Sequence, residues 1–224
     1  AFLPFDLLRD GGSVQVDISA HALTKYPSGG GDVLMGSIIT RDNALHMRLK
    51  LAHMRLGLGV GMNDVELVLR SLPSTALRYH AQDKTARQLA AALQRQNAVK
   101  QLLHPAFASS PGHAHWQQLC ATPENPAGAA AGIFSVVFDA PQSQVDDFCN
   151  RLQLFKLGYS WGGHISLVMP YALDEMRDFG RGAVLPGCLV RLCIGLEEAA
   201  DLERDVAQAY GQAFGHAWRG QGVH

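Results

Sequence analysis

Residues 17–36 read DISAHALTKYPSGGGDVLMG, and the way this stretch is folded decides the architecture around it. At its start, Val14, Val16 and Ile18 alternate with polar neighbours, the period of a strand. At its end, Val33–Thr40 (VLMGSIIT) predicts a buried strand. Between them lies a polar segment that ends in three glycines and carries Thr24 and Lys25 side by side. Flanking strands of this kind can hold a lysine rigidly. A nucleophilic lysine needs such support, because its amine must be kept unprotonated by burial or by a nearby cation. A surface lysine in a polar loop is the other reading of the same residues. The glycines of SGGGD and the Thr24 hydroxyl could present donors to a phosphate, or they could form a plain turn.

Outward from this segment the pattern is α/β. Asp42 or Asn43 can cap a helix with Leu45, Leu49, Ala52 and Leu56 on one face. Gly57, Gly59 and Gly61 end it, and a second helix starts at Asp64 and runs through Leu69. Pro73 interrupts, and a longer helix over 77–96 reads as a connector. Residues 104–131 are rich in Pro, Gly, Ala and Ser and predict a loop. Thereafter short strands are expected at Ile133–Phe138, Leu154–Leu157, Ile165–Met169 and Leu189–Leu196. A helix capped by Ser143 carries Val145, Phe148 and Leu152. A final helix from Glu198 places Leu202, Val206, Tyr210, Phe214 and Trp218 at steps of four, an apolar stripe facing a core. The expected organisation is the end of one domain at 1–76, a connecting helix at 77–103 and a small C-terminal domain at 104–224.

Composition excludes several classes of function. Nineteen Lys plus Arg against twenty Asp plus Glu give a net charge of −1, which does not suit a sequence-independent nucleic-acid binder. No apolar run is long enough to span a membrane. The opening AFLPFDLLRDGG lacks the basic region of a signal peptide. Cys120, Cys149, Cys188 and Cys193 form no C-x-x-C pair and read as isolated thiols, which suits a reducing cytoplasm. His113 and His115, in GHAHW, would point to opposite sides of an extended segment and have no evident third metal ligand.

Two further segments could carry chemistry. Arg191 interrupts the apolar run LVRLCIGLE, where alternation puts it on one face with Cys193, opposite Val190, Leu192 and Ile194. A charge there requires an anionic partner, either an internal carboxylate or a ligand's, and its planar guanidinium matches a carboxylate in two-pronged geometry. In YSWGGH, Tyr159, Ser160 and Trp161 precede two permissive glycines, Gly162 and Gly163, a composition that lines a pocket or packs a turn.

Taken in order, DISAHALTKYPSGGGDVLMG, LLHPAF, GHAHW, AGIFSVVF, LGYSWGGHISL and LVRLCIGLE resemble the Cys/Met-metabolism (transsulfuration) family of pyridoxal-phosphate enzymes, fold type I, over nearly the whole chain. The YSWGG form looks most like the bacterial cystathionine β-lyase branch. The resemblance implies the C-terminal part of a fold type I large domain followed by a small α/β domain, with pyridoxal 5′-phosphate as cofactor. It implies that Lys25 forms the Schiff base with that cofactor and removes the substrate α-proton, and that Thr24 bonds the cofactor phosphate. It implies that Arg191 grips the substrate α-carboxylate, with Ser160 and Trp161 beside it; Tyr159 takes no catalytic role.

The activity so implied is α,β-elimination of L-cystathionine to homocysteine, pyruvate and ammonia, in methionine biosynthesis. Cysteine or cystine lysis and γ-elimination are the alternatives within the family. A non-catalytic C-terminal fragment acting as a partner subunit is the alternative outside it. Relatives are usually homotetramers, so a homo-oligomer is expected, or association with an N-terminal segment that would carry the phosphate loop, the ring-stacking tyrosine and the aspartate at the pyridine nitrogen. Three departures stand out: Ala22 where many relatives have serine, GGGD where they often read GHSD, and a two-residue excess near Gly11 and Gly12.

Overall fold

The computed structural model describes residues 16–121, 123, 125–173 and 187–220. Gly11, Gly12 and Val14 lie outside the described residues.

The first strands form a hairpin, β1 (Ser19–Ala22) against β2 (Gly36–Ile39), antiparallel, with Ala22 opposite Gly36. Both strands are shorter than the hydrophobic pattern predicts. Val16 and Ile18 precede β1 and are exposed, and Ile38 and Ile39 on β2 are exposed rather than buried. Alternation alone does not make a strand; it needs a partner to complete the ladder, and here the ladder begins at Ser19.

Helix α1 (Asn43–Arg55) is capped as expected, with Asp42 Oδ1 accepting from the Leu45 N–H at 2.6 Å. Its apolar residues find no core, and none of its side chains is buried. Helix α2 (Met62–Ser71) buries only Val68. A 3₁₀ turn at Leu72–Ser74, holding Pro73, turns the chain into α3 (Thr75–Gln94). Met62 is 87% exposed and Leu77 75% exposed.

From α3 onward the packing changes. Strands β3 (Val99–Leu103), β4 (Ile133–Phe138), β5 (Lys156–Leu157), β6 (Leu167–Tyr171) and β7 (Cys188–Cys193) form one sheet in the order β3-β4-β7-β6-β5, antiparallel except for β5 beside β6. Helices α5 (Gln142–Arg151) and α6 (Ala199–Phe214), with the second half of α3, cover one face. The register puts Phe134 opposite Leu192 and Val136 opposite Val190. These inward residues meet Leu89 and Leu93 of α3, Val145 and Phe148 of α5, and the Leu202–Val206–Tyr210–Phe214 stripe of α6. Each such fully buried side chain contributes about 1.5–3 kcal/mol.

Several boundaries differ from the pattern-based expectation. Pro141, not Ser143, precedes α5, and Leu152 is buried just beyond the helix. Glu198 caps α6, which stops at Gly215 in the left-handed region (φ +67°). Trp218 therefore lies past the helix but still packs edge-on against Tyr210, at 5.6 Å. Strand β3, at the end of the segment read as the connector, is an edge of the sheet. The predicted loop at 104–131 contains a helix, α4 (His113–Cys120), entered through Gly112 at φ +79°. Its eight residues are too few to show a clear period. His113 and His115 thus sit on a helical turn, and the His113 Nδ1 lies 2.7 Å from the Pro105 carbonyl. Among the described residues no helix is long and apolar enough to cross a membrane.

Candidate active site

The opposite face of the sheet, at the start of β4 and the end of β7, receives the turn that carries Lys25. The second buried cluster assembles there from Tyr26, Tyr79, Ala129, Ala131, Ile133 and Cys193, with Trp161 and Leu167 packed on it. β7 thus serves both faces: Val190 and Leu192 fill the helical core, while Arg191 and Cys193 turn to this side.

The turn begins where β1 ends. The Thr24 hydroxyl donates to the Met35 carbonyl at 3.3 Å and accepts from the Met35 N–H at 3.2 Å, a side-chain extension of the hairpin ladder. Lys25 N donates to Ala22 O, Ser28 N to Leu23 O, and Gly29 N to Lys25 O. Tyr26 is completely buried, its hydroxyl accepts from Gly132 N at 2.9 Å, and its ring meets Tyr79 edge-on at 5.2 Å. Burial pushes the Tyr26 phenol far above its usual range, so it stays protonated and acts as an anchor.

The second part of the site is the loop 158–163. Gly162 has φ +77°, and a Cβ there would stand 2.8 Å from Tyr26 N. Only glycine lets this loop lie flat on the lysine turn. Gln82, buried on α3, holds the loop from behind by donating to Gly163 O at 2.6 Å. Ser160 and Trp161 then meet Lys25. The Lys25 amine donates to Ser160 Oγ at 2.8 Å and sits 4.2 Å from the Trp161 ring centroid.

Arg191 enters from β7, between Ser135 of β4 and Met169 of β6. Its Nη2 donates to Gly158 O at 2.9 Å and Ser160 O at 3.4 Å. Its guanidinium lies 5.8 Å from the ring of Trp161 and 5.8 Å from that of Tyr171. Its Nε is buried without a hydrogen-bond partner. Among the described residues neither Arg191 nor Lys25 is paired with a carboxylate. The nearby Glu197 carboxylate is engaged instead with the Ser166 N–H and hydroxyl, each at 2.7 Å. Burial pushes the Cys193 thiol up to about 11, so it is a protonated packing group and not a nucleophile.

The structure therefore brings Lys25, Ser160, Trp161 and Arg191 into one cluster, with Thr24 one residue from the amine and engaged with Met35. Two cations against one indole, without a carboxylate, and with a buried N–H left over, form a donor set for an anionic ligand. An amine not locked in an ion pair fits a cofactor bearing an aldehyde, and the leftover guanidinium edge fits a carboxylate. Lys25 would hold the cofactor covalently, with Thr24 as the neighbouring hydroxyl. Three contributors escape a residue-by-residue reading of the sequence: Tyr26, Gln82 and Tyr171. Gln82 leaves a signal, because with Asp83 it puts polar groups on the buried face of α3 that runs through Tyr79, Ala86, Leu89 and Leu93. Tyr171, a strand-end aromatic, leaves none.

The Cys/Met metabolism PLP-dependent enzyme family model matches residues 8–211. A cystathionine β-lyase of Bordetella avium is 35% identical over 88% of this chain and 48% of its own length. A cystathionine γ-lyase of Bacillus subtilis is 32% identical over 86% of this chain and 50% of its own. The crystal structure of cystathionine γ-synthase from Xanthomonas oryzae pv. oryzae, in complex with aminoacrylate and cysteine, superposes with a TM-score of 0.76 at 28% identity, over 89% of this chain and 51% of that one. The chain spans about half the length of the relatives it matches, and its α/β architecture is that of the fold type I enzymes among them. On its site geometry and on this match, the chain belongs to the Cys/Met metabolism PLP-dependent enzyme family.

Proposed function

We propose that the protein to which this chain contributes is a carbon–sulfur β-lyase that cleaves L-cystathionine, with uptake of one water, to homocysteine, pyruvate and ammonia. The observation that carries the reading is the Lys25 amine, which among the described residues has no carboxylate partner, held by Ser160 and facing Trp161 in the same cluster as Arg191. When bound, the cofactor supplies an electron sink for the negative charge that develops at the substrate Cα.

The chain's own groups do the rest. The Arg191 guanidinium binds the substrate α-carboxylate, its orientation set by the Gly158 and Ser160 carbonyls and by the flanking rings of Trp161 and Tyr171. Lys25 Nζ takes the α-proton, and the Ser160 hydroxyl holds that nitrogen in place. Trp161 walls the amine from water on one side. Fixing the substrate against a positioned base is worth several kcal/mol of the barrier. Tryptophan at position 161, in the YSWGG form, favours the β-lyase over γ-elimination.

The half-length span of the relatives and the exposed apolar side chains of β2, α1 and α2 support association with the remaining part of the fold and with further subunits. The test is reductive trapping. Borohydride treatment of the complete protein with added pyridoxal phosphate, followed by peptide mapping, should label the ALTKY peptide, and an unlabelled peptide overturns the reading. Product analysis with cystathionine, cystine and a γ-substituted amino acid then assigns the elimination. Pyruvate and homocysteine from cystathionine are expected; a 2-oxobutyrate product would replace the β-lyase by a γ-lyase.

A further inference from the structure

Arg78 lies on the first turn of α3, and no part of the mechanism above uses it. Its Nη1 donates to Tyr26 O at 2.7 Å and its Nη2 to Pro27 O at 3.2 Å. Nη2 also reaches Ser71 O, Ser71 Oγ and Thr75 Oγ1, and Nε donates to Ser74 Oγ at 3.1 Å. Every acceptor is neutral, and among the described residues Arg78 has no carboxylate partner. The guanidinium is thus spent on backbone and hydroxyl oxygens from two segments about fifty residues apart in sequence.

The acceptors are not scattered. Tyr26 and Pro27 directly follow Lys25. The next carbonyl, that of Ser28, accepts from the Ser71 hydroxyl, which is itself a partner of Arg78. Three consecutive carbonyls of the lysine turn are therefore fastened to one corner of the helical segment. Gly29, at φ +66°, leaves the space that the guanidinium fills, and a Cβ there would overlap it. Had the arginine only a packing role, its donors would not converge on the two residues after the lysine and on the serine that holds the third.

We propose that Arg78 is the positioning residue for Lys25: a guanidinium clamp on the Tyr26, Pro27 and Ser71 carbonyls that fixes the direction in which the lysine side chain leaves its turn. The assignment rests on the reading of Lys25 as the cofactor lysine and proton acceptor. The fork is what matters. A lysine at position 78 has a single nitrogen and cannot span acceptors on both segments. Small displacements of a catalytic group are costly to rate, up to about a hundredfold for 1 Å, whereas Arg191 and the substrate carboxylate are untouched.

The experiment compares wild type, Arg78→Lys, Arg78→Ala and Ser71→Ala in the complete protein with cofactor. Four quantities are read: cofactor trapped by borohydride on the Lys25 peptide, kcat per trapped cofactor, KM, and amide exchange over residues 24–29. For Arg78→Lys, kcat per trapped cofactor should fall about tenfold or more with KM within about twofold, and exchange in the turn should quicken. Ser71→Ala, which keeps the guanidinium and removes one acceptor, should shift the same readouts less. Added guanidinium ion should restore part of the kcat of Arg78→Ala. Arg78 variants that lose thermal stability but keep wild-type trapping, kcat per trapped cofactor and turn exchange overturn the assignment alone. Wild-type protein that is not trapped at Lys25 overturns the reading of Lys25 and the assignment with it.

Discussion

Residues 16–77 and residues 79–214 are built to different standards. The second region fills a core: α3, α5 and α6 close over a five-stranded sheet, and Phe138, Phe148, Leu192 and Tyr210 are completely buried. The first region contains the amine, yet α1 buries nothing and α2 buries one valine. The difference teaches that the turn carrying Lys25 is not ordered by its own neighbourhood alone. Thr24 on Met35 and Ser71 on Ser28 hold it locally, and the better-packed region adds the Tyr26 hydroxyl on Gly132, the Gly162 loop laid on Tyr26, and the Ser160 hydroxyl on the amine.

Substitutions can sharpen or break this division. The largest effect is expected from Lys25→Ala in the complete protein: turnover down by at least about a thousandfold and no trapped cofactor, with the melting temperature unchanged. A variant that loses stability instead would show that the amine is a structural group. Phe138→Ala reverses the pattern. It removes a ring stacked on Phe214 at 5.3 Å and packed on Phe148, and should cost about 3–5 kcal/mol in a urea titration.

His104 gives the next effect. It is wholly buried beside Phe107 and Phe134, and burial pulls its imidazole down to about 4 from the usual 6.5. The folded state keeps it neutral. Above pH 6.5 neither state is protonated and nothing is lost. Between about pH 6.5 and pH 4 only the unfolded chain takes the proton, so stability falls by about 3 kcal/mol over that window. His104→Asn, which keeps an acceptor for Ala106 N, should flatten this part of the profile; an unchanged acid slope would remove His104 as its source.

Arg191→Ala should raise KM by about ten- to a hundredfold, the scale of a lost charge-assisted hydrogen bond, while leaving trapping at Lys25 intact. The smallest change is expected from Leu69→Ala. Leu69 is 61% exposed, and in this chain alone the substitution should alter stability by less than about 0.5 kcal/mol. If the same substitution costs several times more in the complete protein, the apolar side of α2 is an interface; an equal cost in both would break the comparison between the two regions.

The two regions also differ in how far they could be read from sequence. The C-terminal half was legible because its periods are satisfied locally. The four-residue steps of α6 from Leu202 to Phe214 and the alternation of β7 both met a partner within the chain. Arg191 stood out because a charge in such a strand must be answered. In the first half the same signals gave the helix α1 but not the burial. Leu45 and Leu49 on α1, and Ile38 on β2, have the right spacing, yet among the described residues none of them is buried. Helix α4 was hidden by its length, and β3 by its place after a long helix. At the site, Lys25, Ser160, Trp161 and Arg191 were nameable from their motifs. The clamp of Arg78 was not, because its acceptors are backbone carbonyls, which every residue has and no sequence marks.

The bond from Gly132 to the Tyr26 hydroxyl joins positions 106 residues apart, and that from Lys25 to Ser160 joins positions 135 apart. Contacts of such range close late, after most of the loop entropy has been overcome. During synthesis Lys25 leaves the ribosome long before Gly132 and Ser160 exist. The contacts that hold the Lys25 amine therefore form only once the far end of the chain has folded back.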